Sequence, residues 1–201
     1  GASGFVGRHL SEKLSKLGFE VLALARSIPV NTDQNKICWL EADLSSPKTY
    51  QAEVKSFCPE VVIHLAWQDI PDFSLKKSRI NLDQSLEFLT YIVSLESCKK
   101  ILFSGSCWEY NKVYGECLET DIVEGTKNHF TWAKNSLRIQ AEIICRQNSI
   151  SFAWFRIFYV YGPGQRLESL LPSILTHLQE GKLPQINSPH NANDYIFIDD
   201  V

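Results

Sequence analysis

Three glycines at a three-residue step, Gly1, Gly4 and Gly7, run straight into a helical hydrophobic pattern. Residues of this type at this spacing suit one task, gripping a phosphate. Glycines let the backbone turn tightly and approach an anion, and the helix start behind them offers free N–H groups with positive partial charge. The turn formed by Gly1, Ser3, Gly4, Phe5, Val6 and Gly7 therefore points to the pyrophosphate of a dinucleotide. The next apolar run, Val21 to Ala25, ends on Arg26-Ser27. A site selecting NAD places an acid here for the ribose 2′-hydroxyl. None is present, whereas the Arg26 guanidinium and the Ser27 hydroxyl suit a 2′-phosphate. NADP is accordingly favoured over NAD.

These residues need elements to hold them. Val6, Leu10, Leu14 and Leu17 recur at helical spacing, and Gly18 stands where a C-terminal cap belongs. Short apolar runs at 21–25, 37–40, 61–66, 101–103, 152–155 and 195–198 predict strands. Helical patterns cover 49–57, 82–93, 134–145 and 170–178, and 110–128 reads as a polar surface loop. Alternating strands and helices joined by right-handed crossovers predict an α/β fold, a Rossmann-type doubly wound parallel sheet. A glycine turn of this kind should follow a strand, so the sheet's first strand is expected to lie outside this sequence. The dinucleotide-binding domain is expected over 1–161. Residues 162–201 are expected to begin a smaller substrate lobe whose C-terminal part is also outside the sequence.

Composition narrows the class. The 201 residues are 44% hydrophobic and 21% charged, enough for a sizeable core. A formal net charge of −3 argues against nucleic acid. No apolar run approaches the about 20 residues that span a bilayer, which excludes a helical membrane anchor within these residues. The six cysteines are scattered without a CxxC pair, as structural thiols of a reducing, cytoplasmic compartment would be, and the histidines lack metal-ligand spacing.

Several segments, in order, resemble one family. Ala42-Asp43-Leu44 resembles an acidic contact to adenine, and His64-Leu65-Ala66-Trp67 an H-x-A-A strand end lying against a cofactor. Asn81-Leu82 resembles an N-V helix start, and Ser104 to Tyr110 an S-S-S-x-x-V-Y segment that places the active-site serine at Ser106. Arg156 to Gln165 resembles R-x-x-x-V-Y-G-P-G-Q, and Asp194 to Val201 resembles R-D-F-V-H-V-D-D-V. With the glycine turn, the chain resembles the extended short-chain dehydrogenase/reductase superfamily, specifically its nucleotide-sugar epimerase/dehydratase/reductase group. The resemblance implies cofactor contacts from the glycine turn, Arg26, Ser27, Asp43, Leu44, Leu65, Ala66 and Lys134. It implies a substrate border of Trp67, Asn81, Ser106, Tyr110, Tyr159 and Arg166, and it implies no metal.

The resemblance also implies a Tyr-x-x-x-Lys pair on one helical face, the lysine holding the nicotinamide ribose and the tyrosine exchanging a proton with the substrate oxygen. This chain reads Phe130-Thr131-Trp132-Ala133-Lys134. Lysine is present, and phenylalanine, which has no proton to give, stands where tyrosine belongs. Three readings stay open. Another acid works: Tyr110, Tyr159, His129 or a water held by Ser106 and Lys134. Turnover is lost while the cofactor site persists. Or the tyrosine was removed, or the register is shifted. The expectation is an NAD(P)-dependent oxidoreductase or epimerase moving hydride at a nucleotide-linked, 4-keto sugar, as a possible homodimer. The rival is a non-catalytic dinucleotide-binding sensor or partner subunit. Cys107-Trp108, where dehydratases carry Asp-Glu, disfavours a 4,6-dehydratase.

Overall fold

A computed structural model describes residues 1–29, 37–110, 115–121, 125–186, 188, 190 and 192–201. It forms two compact units, Gly1–Arg156 and Ile157–Val201. The first runs α1 (Phe5–Lys16), β1 (Leu22–Ala25), β2 (Cys38–Glu41), α2 (Gln51–Phe57), β3 (Val61–His64), α3 (Leu75–Val93), β4 (Lys100–Ser106), α4 (His129–Gln147) and β5 (Ser151–Ile157). The second holds β6 (Tyr159–Tyr161), α5 (Leu170–Gln179) and β7 (Tyr195–Phe197). β6 pairs with β7 in parallel.

The Rossmann-type parallel architecture is present. β1 pairs β2 in parallel, β3 pairs β4 in parallel, and β5 lies on the far side of β4. Between β1 and β3 the ladder is interrupted by an apolar cleft of about 440 Å³ walled by Leu22–Leu24 on one side and Val61–His64 on the other.

Two helices extend beyond their predicted starts. α3 begins at Leu75 rather than near Leu82, because the Ser74 Oγ caps it by accepting the Lys77 N–H (3.4 Å). Its first turn, Leu75-Lys76-Lys77-Ser78, is too polar to show a hydrophobic stripe. α4 begins at His129 through a capping box in which Asn128 and Thr131 satisfy each other's backbone N–H groups. Phe130 therefore sits in the first turn of α4 and Lys134 one turn deeper. α3 and α4 bury Phe88, Leu89, Ile92, Ala133, Leu137 and Ala141 in one core with Ile101 and Phe103 of β4. Among the described residues no helix is long and apolar enough to cross a membrane.

Candidate functional site

The glycine turn is built by close backbone approach. The Gly4 N–H bonds the Gly1 carbonyl (3.1 Å), and the Ala2 N–H bonds Leu24 O of β1 (3.2 Å). A Cβ on Gly7 would lie 2.2 Å from Gly1 O, and one on Gly1 would lie 2.5 Å from the Leu65 carbonyl carbon beyond β3. Any side chain at either position would force these segments apart. The ladder of α1 starts with Arg8 N–H to Gly4 O. No side chain caps the helix and no acid stands in its first turn. An uncapped helix start rimmed by glycine backbone fits a phosphate.

A cavity of about 240 Å³ opens beside this turn and gathers Gly1, Ser3, Gly4, Arg26, Asp43, Leu44, Leu65, Ala66, Trp67 and Asn81. Phe5, Val6 and Ser27 do not line it. Phe5 is turned edge-on to the His9 ring (5.6 Å), and Ser27 is exposed after β1. Gly7 lines the apolar cleft instead. The Asp43 carboxylate accepts the Ser45 N–H (2.8 Å), which holds its pKa below the ordinary carboxylate value. Arg26 is exposed, with Nη1 donating to Gln68 Oε1 (3.4 Å).

Asn81 does not open a helix. It lies inside α3, and its side chain is fully occupied. Oδ1 accepts the Gln68 N–H (2.7 Å), and Nδ2 donates to Lys77 O (2.9 Å) and Gln68 O (3.3 Å). It ties the loop after β3, with Trp67 and Gln68, to α3. His64 is a core residue stacked on Phe103 (4.5 Å), and burial pushes its pKa down to about 3.

The second cluster forms where β4 ends. Ser106 closes the strand, and its Oγ accepts the Trp108 N–H (3.3 Å) from the 3₁₀ turn Cys107–Tyr110. Lys134 reaches the same strand end from α4, its Nζ donating to Ser104 O (2.7 Å). The Trp67 ring covers that ammonium at 4.1 Å. Burial lowers the Lys134 pKa to about 7, opposed by the negative charge of Glu109. Phe130 is buried among Trp67 (5.4 Å, edge-on), Phe73 (5.2 Å) and Trp108 (6.2 Å, edge-on). Burial raises the Cys107 thiol to about 11, which makes it a poor nucleophile. Tyr110 is buried with the Arg156 guanidinium 4.6 Å above its ring.

Trp67 belongs to both clusters, so the first unit brings the glycine turn, Ser106, Phe130 and Lys134 to one end of its strands. Tyr159 and Arg166 lie in the second unit, where Tyr159 faces the Tyr195 ring (5.7 Å) and Arg166 is exposed ahead of α5. Sequence reasoning passed over Glu109, a buried carboxylate behind Ser106, because it stands within a motif read only for its serine and tyrosine. It also passed over Gln68 and Trp154, which carried no signal at all.

Parallel α/β layering with a glycine turn at the strand ends defines a nucleotide-binding protein of the Rossmann type. The chain belongs to the NAD dependent epimerase/dehydratase family, whose model matches residues 1–201. It is 25% identical to a CDP-abequose synthase of Salmonella typhimurium over 100% of this chain, and it spans 65% of that relative's length. Its fold is that of a UDP-glucose 4-epimerase from Thermotoga maritima solved with UDP-glucose (TM-score 0.84, 22% identity, 100% of this chain and 68% of that one). It is also that of a UDP-glucuronic acid 4-epimerase from Bacillus cereus (TM-score 0.81, 20% identity, 100% and 68%). That structure is a tyrosine-to-phenylalanine mutant solved with NAD and a fluorinated UDP-glucuronic acid.

Proposed function

We propose that this chain carries the cofactor site and the serine–lysine pair of an NAD(P)-dependent oxidoreductase or epimerase acting on a nucleotide-linked sugar, at a 4-keto or 4-hydroxyl carbon. The observation that carries the reading is the sharing of Trp67. It walls the cavity beside the glycine turn and covers the Lys134 ammonium at the end of β4. Relatives and structural neighbours named for nucleotide sugars, one of them solved with NAD, support the substrate and cofactor classes.

In this reading the amides of Gly1, Ser3 and Gly4 and the start of α1 hold the phosphates, flanked by Phe5, Val6 and Gly7. Arg26 and Ser27 meet a 2′-phosphate, Asp43 and Leu44 the adenine, and Leu65 and Ala66 the body of the dinucleotide. The bound dinucleotide supplies the hydride exchange. Lys134 holds the nicotinamide ribose, and the Ser106 hydroxyl bonds the reacting oxygen. Trp67 and Tyr110 border the sugar nucleotide, and Asn81 acts by holding Gln68 and Trp67 in place. Proton exchange passes through Ser106 and Lys134, since a lysine near neutrality both gives and accepts a proton and Phe130 does neither. A cytoplasmic homodimer is what the family resemblance implies, and light scattering of the full chain tests the dimer.

The test is calorimetry of the full chain with NADPH and NADH, followed by absorbance with a panel of nucleotide-4-keto-sugars. Uptake with NADPH oxidation supports a reductase, and epimer formation without net absorbance change supports an epimerase. Uptake with neither outcome identifies a non-catalytic binder. Failure to take up either nucleotide sinks the whole reading.

A further inference from the structure

Behind Ser106 lies a carboxylate that the cofactor and substrate readings leave without a task. Glu109 has a side chain with no solvent exposure. Its Oε1 accepts the Ser106 backbone N–H (2.6 Å) and its Oε2 accepts the Trp154 indole N–H (2.9 Å). The Arg156 Nε lies 3.5 Å from Oε2, and its guanidinium is anchored over the Tyr110 ring and by the Glu119 carbonyl (3.3 Å). Gly105 makes the arrangement possible, since a Cβ there would lie 2.2 Å from the Trp154 indole nitrogen and 2.7 Å from Glu109 Oε1. Trp154 in turn stacks on Phe103 (5.9 Å) and lies 5.9 Å from the Lys134 ammonium. A buried carboxylate is costly unless paired and hydrogen-bonded, and here three groups from two strands converge on one.

We propose that Glu109 is a positioning residue of the serine–lysine centre: one buried carboxylate locks the turn that carries Ser106 and supplies the countercharge for Lys134 from behind the strand. This rests on the reading of Ser106 and Lys134 as the working pair. Glu109 and Lys134 meet the same strand end, at the Ser106 N–H and the Ser104 carbonyl, with Trp154 bonded to the one and 5.9 Å from the other, and the carboxylate's charge raises the Lys134 pKa against burial. Lys134 acts in turn on His64, which burial keeps neutral, and Arg156 is the cation facing the carboxylate itself.

The experiment is an NMR titration of the full chain with isotope-labelled lysine, following the Lys134 Cε signal, assigned with Lys134→Met. The expected midpoint lies at about 7. Glu109→Gln keeps the shape and removes the charge, so the midpoint falls by about half to one pH unit. Arg156→Gln leaves the carboxylate unbalanced and raises it. Trp154→Phe removes an uncharged donor, so the midpoint stays while the Ser106 amide exchanges faster with solvent. An unmoved midpoint in Glu109→Gln overturns the proposal. Should that variant lose its cooperative melt, Arg156→Gln probes the same carboxylate without deleting it, and an unmoved midpoint there overturns the proposal as well. The titration needs neither cofactor nor sugar, so absent nucleotide uptake would sink the functional reading and leave the Glu109 result standing.

Discussion

The two ends of the strand-end surface are built on opposite plans. Around Gly1, Gly4 and Gly7 the backbone makes the site, side chains are excluded, and the helix start is left uncapped. Around Ser106 and Lys134 large side chains make the site: Trp67, Phe73, Trp108 and Phe130 interlock, and Trp154 clamps a buried acid. Backbone can serve any dinucleotide and tolerates no change. A side-chain wall can be rebuilt, and here it has been rebuilt with phenylalanine at the position that the family resemblance assigns to the proton-exchanging tyrosine.

The largest effect should come from breaking that wall. Phe130→Tyr returns a hydroxyl to the turn above Lys134. If the wall still faces a reacting oxygen, turnover rises by roughly 10²–10⁴-fold, the usual contribution of a placed acid. The free protein loses about 1–3 kcal/mol, because the hydroxyl enters an aromatic packet with no partner in it. Rates measured beside chemical melts check both. Lower stability with unchanged turnover would mean the packet is core and not active site.

Lys134→Met separates the ends next. The native amine titrates near 7 and the unfolded one near 10.5, so the unfolded chain binds more protons between those values. Native stability therefore rises with pH across that window, by up to about 1.4 kcal/mol per unit, and below it the full penalty applies. Urea melts from neutral to alkaline pH should show this slope in the native protein and its loss in Lys134→Met. Gly7→Ala attacks the opposite end. Its Cβ would overlap Gly1 O, so the turn must open. Nucleotide affinity should fall about 100-fold by calorimetry while the Lys134 slope persists.

How legible each end was follows from the same contrast. The glycine turn and the short buried strands write themselves in residue type, because only glycine fits and only apolar runs fill a parallel sheet. Lys134 was singled out by the family resemblance, four residues beyond Phe130, and the fold brings it to the strand end beside Ser104. Glu109, Trp154 and Gln68 were not, because their roles depend on partners 3 to 45 positions away, as in Trp154 with Glu109, and no local pattern announces such a pair. The start of α3 was lost for a local reason: capping chemistry at Ser74 begins the helix before any apolar stripe appears.

The smallest expected effect sharpens the backbone end. Arg26 is exposed and lines the cavity with Asp43, and among the described residues its guanidinium donates a long bond to Gln68, which leaves it placed to meet a 2′-phosphate. A charge-assisted pair contributes about 1.5–3 kcal/mol when shielded and less in solvent. Arg26→Ala should therefore weaken NADPH about tenfold and leave NADH unchanged, and the NADPH loss should shrink as salt is raised. Equal weakening of both nucleotides would assign Arg26 to the Gln68 loop rather than to the phosphate. No change in either would mean that Arg26 makes no choice between the two nucleotides, as expected of an end built from backbone alone, and the division between a permissive backbone end and a selective side-chain end would then be complete.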